Sequence, residues 1–175
     1  GFYEKPVMID PLYNVTEISY LNYAYCAKYI DGHIGCWGDN EWGIIGDGST
    51  EDRSIRSIYH HSNNYFGGSI VDVQSIDLRV CVLIDDGSIW CWEGGRNRGA
   101  VPEKLPHYGS TRFATSLAVS NSFICAVEDN GEVSCSGEGS FGAIGDGDWE
   151  SRQFPTTTNE FGDNNPAIDI STTGS

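Results

Sequence analysis

Three pairs of cysteines, each pair ten positions apart, constrain the fold of this chain more than any other feature. The segments are CAKYIDGHIGC (26–36), CVLIDDGSIWC (81–91) and CAVEDNGEVSC (125–135), and they contain all six cysteines. Just past its midpoint each segment has a glycine that follows Asp or Asn: Gly32, Gly87 and Gly131. The last position of a three-residue hairpin loop needs a left-handed residue, which glycine supplies without steric cost. The spacing therefore predicts a β-hairpin in each segment.

In such a hairpin the two cysteines of a segment lie opposite each other, three rungs from the loop. If the pair that flanks the loop is hydrogen-bonded, the cysteines fall on a non-hydrogen-bonded rung, where Cα atoms are about 4.5 Å apart. That separation suits a disulfide, and we predict the bridges Cys26–Cys36, Cys81–Cys91 and Cys125–Cys135. The alternatives are three pairs of reduced core cysteines or a zinc site. Zinc fits less well, because its cysteine ligands usually come as closely spaced CxxC-type pairs.

The similarity between the three segments extends beyond the cysteines. Eight residues before each first cysteine lies an aliphatic residue within an alternating apolar pattern, which predicts a strand with one buried face: Ile18, Val73 and Leu117. After the second cysteine, CWGDNEWGIIGDGS and CSGEGSFGAIGDGD run in parallel, whereas the middle segment diverges after CWEGG. The first cysteines are 55 and 44 residues apart, so the period is near 50. A repeat of this length without helical periodicity indicates propeller blades or a β-solenoid.

The first copy, CAKYIDGHIGCWGDNEWGIIGDG, resembles the repeat of the regulator of chromosome condensation family, CAL-x-DG-x-V-x-CWG-x-N-x-x-G-x-L-G-x-G. The third copy departs from it at Ser136, where the repeat has Trp, and the second copy lacks the glycine-rich half. The resemblance covers almost the whole chain. It implies a β-propeller of four-stranded blades, and members of the family usually close with seven. The paired cysteines look like those of secreted prokaryotic members rather than the nuclear exchange factor.

Together these features predict an all-β fold, a β-propeller segment of about three four-stranded blades, each with a disulfide-stapled hairpin. We expect one repeat domain over 1–175, with blades at approximately 15–69, 70–113 and 114–166, the end of a preceding blade at 1–14 and the start of a next blade at 167–175. Three blades do not close a ring of known size. Either the chain is a segment of a longer propeller, or several chains complete one another.

The charge of the chain excludes several classes of partner. It carries 25 Asp and Glu against ten Lys and Arg, a formal net charge of −15, and has no basic stretch. Phosphate binding needs clustered Lys and Arg, so we expect neither nucleic acid nor an anionic membrane surface as a partner. No apolar run approaches the length of a membrane span, so membrane insertion is not expected. The predicted disulfides persist in oxidising compartments, which indicates an extracellular protein, secreted or on the cell surface.

The chain offers no clear catalytic or metal-binding constellation. No serine lies in a G-x-S-x-G context, and GIIGDG and GAIGDG lack the Lys-Ser/Thr of a P-loop. His60 and His61 are adjacent in a predicted insertion, where a solvated loop is the simplest interpretation. Four acidic residues near the glycine-rich loops lack the spacing of an EF-hand: Asp39, Asp47, Asp146 and Asp148. We therefore predict no enzyme, no cofactor and no metal site.

Tryptophans and one sequon complete the candidate residues. Trp90 and Trp92 share one side of their strand and are expected to pack between blades. Trp42 and Trp149 lie in or beside the glycine-rich loops and are candidate partner-binding aromatics, since Trp dominates binding hot spots. Asn14, in the sequence NVT, is a candidate glycosylation site.

These observations favour a non-enzymatic, secreted or cell-surface β-propeller module for protein–protein recognition. The alternative is a structural protein whose open-ended chains join as homo-oligomers into a ring or a filament. An extracellular enzyme is the third hypothesis, and no group of residues supports it.

Overall fold

The computed structural model describes residues 12–54, 59–61, 63–96, 98–158, 161 and 165–171. Twelve strands within them form three four-stranded antiparallel sheets. The first sheet contains β1 (Val15–Leu21), β2 (Ala24–Tyr29), β3 (Ile34–Gly38) and β4 (Tyr59–His61). The second contains β5 (Ile70–Ile76), β6 (Arg79–Ile84), β7 (Ile89–Glu93) and β8 (Glu103–Lys104). The third contains β9 (Ala114–Val119), β10 (Phe123–Glu128), β11 (Val133–Gly137) and β12 (Arg152–Thr157).

Each sheet is a meander in which strands that follow one another in the chain are neighbours. We call the sheets the first, second and third blade. A four-residue helix, α1 (Asn63–Phe66), connects the first blade to the second, and a 3₁₀ turn lies at Ser140–Gly142. The predicted all-β fold of three four-stranded blades is confirmed. Most of the expected end of a preceding blade, 1–14, lies outside the described residues.

The middle hairpin of every blade contains a disulfide, as predicted. Cys26 lies opposite Cys36, Cys81 opposite Cys91 and Cys125 opposite Cys135, and each pair is bonded with a Cα–Cα distance of 4.1 Å. In the first hairpin Tyr29 N–H donates to the His33 carbonyl at 2.9 Å, which closes a loop of three residues. The hydrogen-bonded rung beside the loop is what places the cysteines on the closer type of rung.

The loop glycine of each hairpin also contacts the following blade. The carbonyl of this glycine accepts a hydrogen bond from a backbone N–H of the segment that follows the blade. Gly32 accepts from Ile70 (2.9 Å), Gly87 from Ala114 (3.2 Å) and Gly131 from Ala167 (2.9 Å). The segment around Ala167 thus repeats, against the third blade, the pairing that β5 and β9 make with the blades before them. The hairpin turns therefore connect each blade to the next.

These loop positions accept only glycine for two separate reasons. Gly32, Gly87 and Gly131 have φ between 76° and 82°, a left-handed conformation that costs other residues about 1–2 kcal/mol. A Cβ on Gly87 would also lie 2.8 Å from the Cα atom of Phe113 in the next blade. The close approach of the two backbones leaves no room for a side chain.

Alternation along β6 divides the core between the two neighbouring blades. Val80, Val82 and Ile84 pack in the core shared with the first blade, whereas Cys81 and Leu83 pack in the core shared with the third. A strand buried on both faces therefore reads as the continuous apolar run VCVLI, which follows Arg79. A third, smaller core lies on the far face of the third blade, where Ala167 and Ile170 pack against it.

No helix within the described ranges has the length and hydropathy that crossing a membrane would require.

Replacing Gly87 by Ala is expected to lower the free energy of unfolding by more than the same change at Gly67. Both residues have positive φ, 76° and 81°, but a Cβ at Gly67 meets no described atom within 4 Å. Gly67→Ala therefore measures conformational strain alone, about 1–2 kcal/mol, and Gly87→Ala adds the clash with Phe113. Urea unfolding of the oxidised variants gives both values. Equal losses would show that the contact between blades does not constrain this position.

Candidate functional site: exposed aromatic residues of the third blade

The glycine-rich loop of the first blade, residues 38–50, packs against the second blade. Gly95 N–H donates to the Trp42 carbonyl at 2.7 Å, and the Trp92 indole N–H donates to the Ile44 carbonyl at 2.7 Å. Gly43 lies so close that a Cβ on it would be 2.2 Å from the Arg98 carbonyl oxygen. The loop thus fills the junction between the first and second blades, and Trp42 is half-buried there. Trp42, a candidate partner-binding aromatic, is therefore less exposed than its place in a loop suggests.

The equivalent loop of the third blade, residues 137–149, has no blade against it among the described residues. Phe141 occupies the position that Trp42 has in the first blade, and its side chain is 93% exposed. Trp149 follows the same loop and is 75% exposed. Its indole ring passes close to Gly142, since a Cβ there would lie 3.9 Å from Trp149 Nε1. We call Phe141 and Trp149 the third-blade aromatic pair.

Sequence reasoning selected Trp149 but missed Phe141. The signal was present in the alignment of NEWG (40–43) with GSFG (139–142), where Phe141 matches Trp42. Equivalent positions do not share an environment, however, because Trp42 has the second blade beside it. Exposure at a repeated position therefore depends on the neighbouring blade.

An Asp–Arg ion pair closes the glycine-rich loop in both copies. Arg53 donates to Asp47 Oδ2 at 2.5 Å, and Arg152 Nε donates to Asp146 Oδ2 at 2.5 Å. At Asp47 burial raises the pKa, but hydrogen bonds from Ser49 and Arg53 outweigh it, so the pKa is lowered. At Asp146 the hydrogen bond from Arg152 lowers the pKa. These carboxylates are thus held by arginine and shape the loops.

Other acidic side chains near the loops make local hydrogen bonds. Asp39 accepts from the Glu41 N–H, and Asp148 pairs with Arg152. Within the described ranges no three His, Cys, Asp or Glu side chains are grouped so as to hold a metal ion.

The adjacent histidines have different environments. His60 is exposed on the first blade and lies 5.2 Å from His33 between ring centroids. His61 is buried between the first and second blades, where its Nε2 is 3.1 Å from the Ile45 carbonyl and its ring lies against Trp92. A solvated loop is therefore wrong for His61, which belongs to the packing of a junction.

A second group of exposed aromatic residues covers the outer face of the first blade. Tyr20 and Tyr25 have ring centroids 5.4 Å apart, and Tyr25 stacks on Trp37 at 5.8 Å. Ile18 lies on the same face and is exposed like the two tyrosines, so the expectation that it belongs to a buried face is wrong, although it holds for Val73 and Leu117. We call these four residues the first-blade aromatic face. Trp37 in the first blade is equivalent to Trp92 in the second. The first-blade aromatic face therefore corresponds to the face on which the second blade carries Trp92.

Trp90, Trp92 and Asn14 are also placed by the structure. Trp92 is buried and Trp90 is partly buried in the core between the first two blades, on the side that alternation indicates. Asn14 is exposed, with φ of 57°, immediately before β1, and Thr16 Oγ1 donates to the Lys28 carbonyl. Glycosylation at Asn14 stays a prediction, as does a binding role for Trp42 or Trp149.

Solved structures of β-propellers resemble this chain. Human WBSCR16 superimposes with a TM-score of 0.62 at 19% identity, over 83% of this chain and 40% of its own. Prp20p, the yeast RCC1 of Saccharomyces cerevisiae, gives a TM-score of 0.62 at 19% identity over 85% of this chain and 39% of its own. The propeller domain of Myceliophteria thermophila Cps50 (Swd1) gives 0.53 at 12% identity over 90% and 44%. No protein-family model matches the chain.

The comparisons show a β-propeller with the repeat fold of the regulator of chromosome condensation, as the sequence resemblance implies. The chain spans about two fifths of the length of the solved structures that it matches.

The free energy of unfolding is expected to fall as the pH drops below about 6.5, in part through His61. Burial lowers the pKa of His61, although the hydrogen bond to the Ile45 carbonyl and the Asp47 charge oppose it. A folded-state pKa below the unfolded value of about 6.5 means that the unfolded chain binds the proton more readily. The contribution of the neutral His61 to the free energy of unfolding is therefore complete above about pH 6.5 and is lost as the pH falls below it.

Urea unfolding at about pH 8 and about pH 5.5 tests this dependence. His61→Gln keeps an amide N–H for the Ile45 carbonyl and removes the titration, so this variant should lose less stability on acidification than the wild type. The exposed His107, changed to Gln, is the matched control and should behave like the wild type. Identical pH dependence in all three proteins would contradict the assignment.

Proposed function

We propose that this chain is a non-enzymatic β-propeller module of a secreted or cell-surface protein, and that it recognises another protein. The observation that carries the proposal is the third-blade aromatic pair. Two large aromatic side chains that are 93% and 75% exposed, on a loop held by the Asp146–Arg152 ion pair, are unusual for a surface without a partner. Trp is also enriched among the residues that dominate protein interfaces.

The construction of the blades supports this proposal. Each hairpin is held by a disulfide and by a hydrogen bond that its loop glycine accepts from the segment that follows, so the loops project from a rigid support. Binding residues lie preferentially on loops that a rigid scaffold positions. Three disulfides also favour an oxidising compartment, which supports secretion or surface display.

Similar propellers bind proteins. The solved structures include Prp20p with its binding to Gsp1p and histones, and yeast RCC1 bound by Kap60. These partners belong to those proteins. They support protein recognition here as a class of function and identify no partner for this chain.

Changing the third-blade aromatic pair is expected to remove binding while the fold is kept. Phe141 has φ of 60°, so Phe141→Asn suits its backbone, and Trp149→Ala removes the indole. Truncation of a hot-spot aromatic costs about 2 kcal/mol or more, roughly thirtyfold in Kd. The immobilised wild type should therefore retain a protein from the extracellular fraction of its source that the double variant does not, with Kd then measured on the purified partner.

The control for this experiment is Tyr23→Asn. Tyr23 is an exposed aromatic residue with positive φ on the first blade, far from the pair in sequence. This variant should bind like the wild type. Retention of the same proteins by the wild type and by the double variant would contradict the proposal.

Self-assembly is the second candidate function, and the first-blade aromatic face favours it. This face exposes Tyr20, Tyr25 and Ile18 on one end of the stack, and Phe141 is exposed at the other. Joining one end to the other would bury both surfaces in a head-to-tail contact, which closes a ring or grows a filament.

Light scattering after size-exclusion chromatography of the oxidised protein tests self-assembly. A mass that is a multiple of 19.1 kDa, reduced to the monomer by Tyr20→Ser with Tyr25→Ser, would support it. A monomer at all concentrations would exclude it and leave the recognition proposal unaffected.

A further inference from the structure

An open cleft of about 790 Å³ lies between the second and third blades. At the equivalent place between the first and second blades, Trp92 fills the junction and is only 3% exposed. The indole N–H of Trp92 donates there to the Ile44 carbonyl of the glycine-rich loop at 2.7 Å. The cleft is therefore a local departure from the packing that the repeat produces one blade earlier.

Two departures from the repeat in the sequence coincide at this cleft. The second copy lacks the glycine-rich half, so only the shorter segment 94–101 is present where the first blade has loop 38–50. In the third copy Ser136 follows the second cysteine, where the other two copies have Trp37 and Trp92. The junction thus lacks both the loop and the indole ring that would fill it.

Strand alternation directs the side chain of Ser136 into the cleft. Ser134, two residues earlier on β11, faces the second blade, where its hydroxyl lies 3.0 Å from that of the buried Tyr108. Residues two apart on a strand share a face, and Ser136 lines the cleft. The Ser136 hydroxyl makes no hydrogen bond with any residue that the structure describes. It is therefore available to the N–H or O–H of a ligand.

Ile124 forms an apolar floor beside Ser136. It is the cross-strand neighbour of Ser136, as Val80 is of Trp92 in the second blade. Val80 is completely buried, whereas Ile124 retains 8% exposure and lines the cleft. The third blade thus keeps the apolar neighbour of the missing tryptophan and lacks the ring that would cover it.

Leu105 forms the wall that faces this floor. Its N–H donates to the Ile89 carbonyl at 2.8 Å, which gives it the place beside β7 that His61 has beside β3, opposite Ile34. At the first junction the His61 ring lies against that of Trp92, with 5.4 Å between ring centroids. At the second junction Leu105 occupies that place and lines the cleft. An apolar side chain is therefore positioned to contact a ring.

The charged side chains around the cleft offset one another. Carboxylates match its arginines in three sets: Arg79 with Glu93, Arg152 with Asp146 and Asp148, and Arg98 with Glu103. The first two sets are ion pairs, and the third consists of opposite charges that line the same cleft. A charged ligand gains little from such a rim. The size of the cleft is that of a typical ligand site, about 300–1,000 Å³, and its lining suits a neutral ligand with a large apolar group.

We propose that this cleft binds a tryptophan side chain of a protein partner, whose indole takes the place of the ring that the third copy lacks. The ring packs between Ile124 and Leu105, and its N–H donates to the Ser136 hydroxyl. Tryptophan combines a large apolar area with one donor, which are the two properties that this site accepts. The inference rests on the proposed function, because it takes the ligand to be part of a protein. It names a contact separate from the third-blade aromatic pair.

Fluorine NMR of the neutral peptide GSWSG, made with fluorotryptophan, tests the proposal on the oxidised chain. The fluorine signal should broaden and shift as protein is added, and unlabelled GSWSG should reverse the change. GSASG lacks the ring and should compete at least about thirtyfold less well, since an aromatic residue that dominates an interface accounts for that factor. Equal competition by GSWSG and GSASG would overturn the proposal.

Variants of one residue locate the site. Ser136→Trp restores the tryptophan of the repeat and should abolish binding by filling the cleft. Ser136→Ala removes only the hydroxyl and should weaken binding by less than about tenfold, the effect of one neutral hydrogen bond. The matched control is Ser171→Trp, which should bind like the wild type, because Ser171 is exposed and does not line the cleft. Unchanged binding in Ser136→Trp, or an equal loss in Ser171→Trp, would place the site elsewhere.

Urea unfolding separates an occupied site from a misfolded variant. Ser136→Trp should unfold at a urea concentration no lower than that of the wild type, because its ring enters space that is already open. If this variant does not fold, Leu105→Ala tests the same site. It removes an apolar wall and should weaken the binding of GSWSG at least about tenfold. Wild-type affinity in a folded Leu105→Ala variant would contradict the proposal.

Salt and free indole identify the kind of ligand. The affinity for GSWSG should be the same at about 0.05 M and about 0.5 M salt, since salt screens only interactions between charges. A loss of affinity at the higher concentration would contradict the binding of a neutral ring. Displacement of the peptide by free indole at a lower concentration than by unlabelled GSWSG would overturn the assignment to a protein segment.

The two proposals fail independently. Failure of GSWSG to bind would overturn the cleft inference and leave the third-blade aromatic pair and its captured partner untouched. Failure of the immobilised wild type to capture a protein would instead count against the proposed function, whatever GSWSG does.

Discussion

The hydrogen bond that the carbonyl of each hairpin glycine accepts from the segment that follows is the contact on which the arrangement of the sheets depends. It brings two backbones together at Gly87 and Phe113 so closely that no Cβ fits between them. The disulfide behind each turn keeps the hairpin in the geometry that presents the carbonyl. Short-range chemistry within one hairpin thereby sets the position of a neighbouring sheet, and the same arrangement recurs at all three turns.

Given this stacking, the blades differ in how their junctions are filled. The first junction contains the glycine-rich loop, the buried His61 and Trp92, and is closed. The second has neither the loop nor the tryptophan, since the second copy is short and Ser136 replaces the indole, and it is open. Variation at repeated positions therefore alters cavities at the junctions while the sheets themselves stay alike. The contact proposed for the third-blade aromatic pair lies on a loop against which the described residues place no neighbouring blade.

Much of the fold could be predicted because the repeat is encoded locally. Hairpin loops follow from the spacing of Gly32 and its equivalents, and the disulfides follow from the register that those loops impose. The site was less accessible. Trp149 was identified from its place in a loop, but the exposure of Phe141 and the half-burial of Trp42 depend on which blade lies beside each loop. Strand periodicity carries no information about that neighbour.

The sequence by itself determined the hairpins, their cysteine pairs and the glycine positions, because each depends on residues close together in the chain. Only the tertiary structure decided the environments of His61, Phe141 and Ser136, which sequence spacing treats as ordinary members of a repeat. The physical reason is that burial and cavity volume arise between blades, from residues that belong to different copies of the repeat, as His61 and Trp92 do. A shortened loop in one copy becomes a cleft only when the next blade packs beside it.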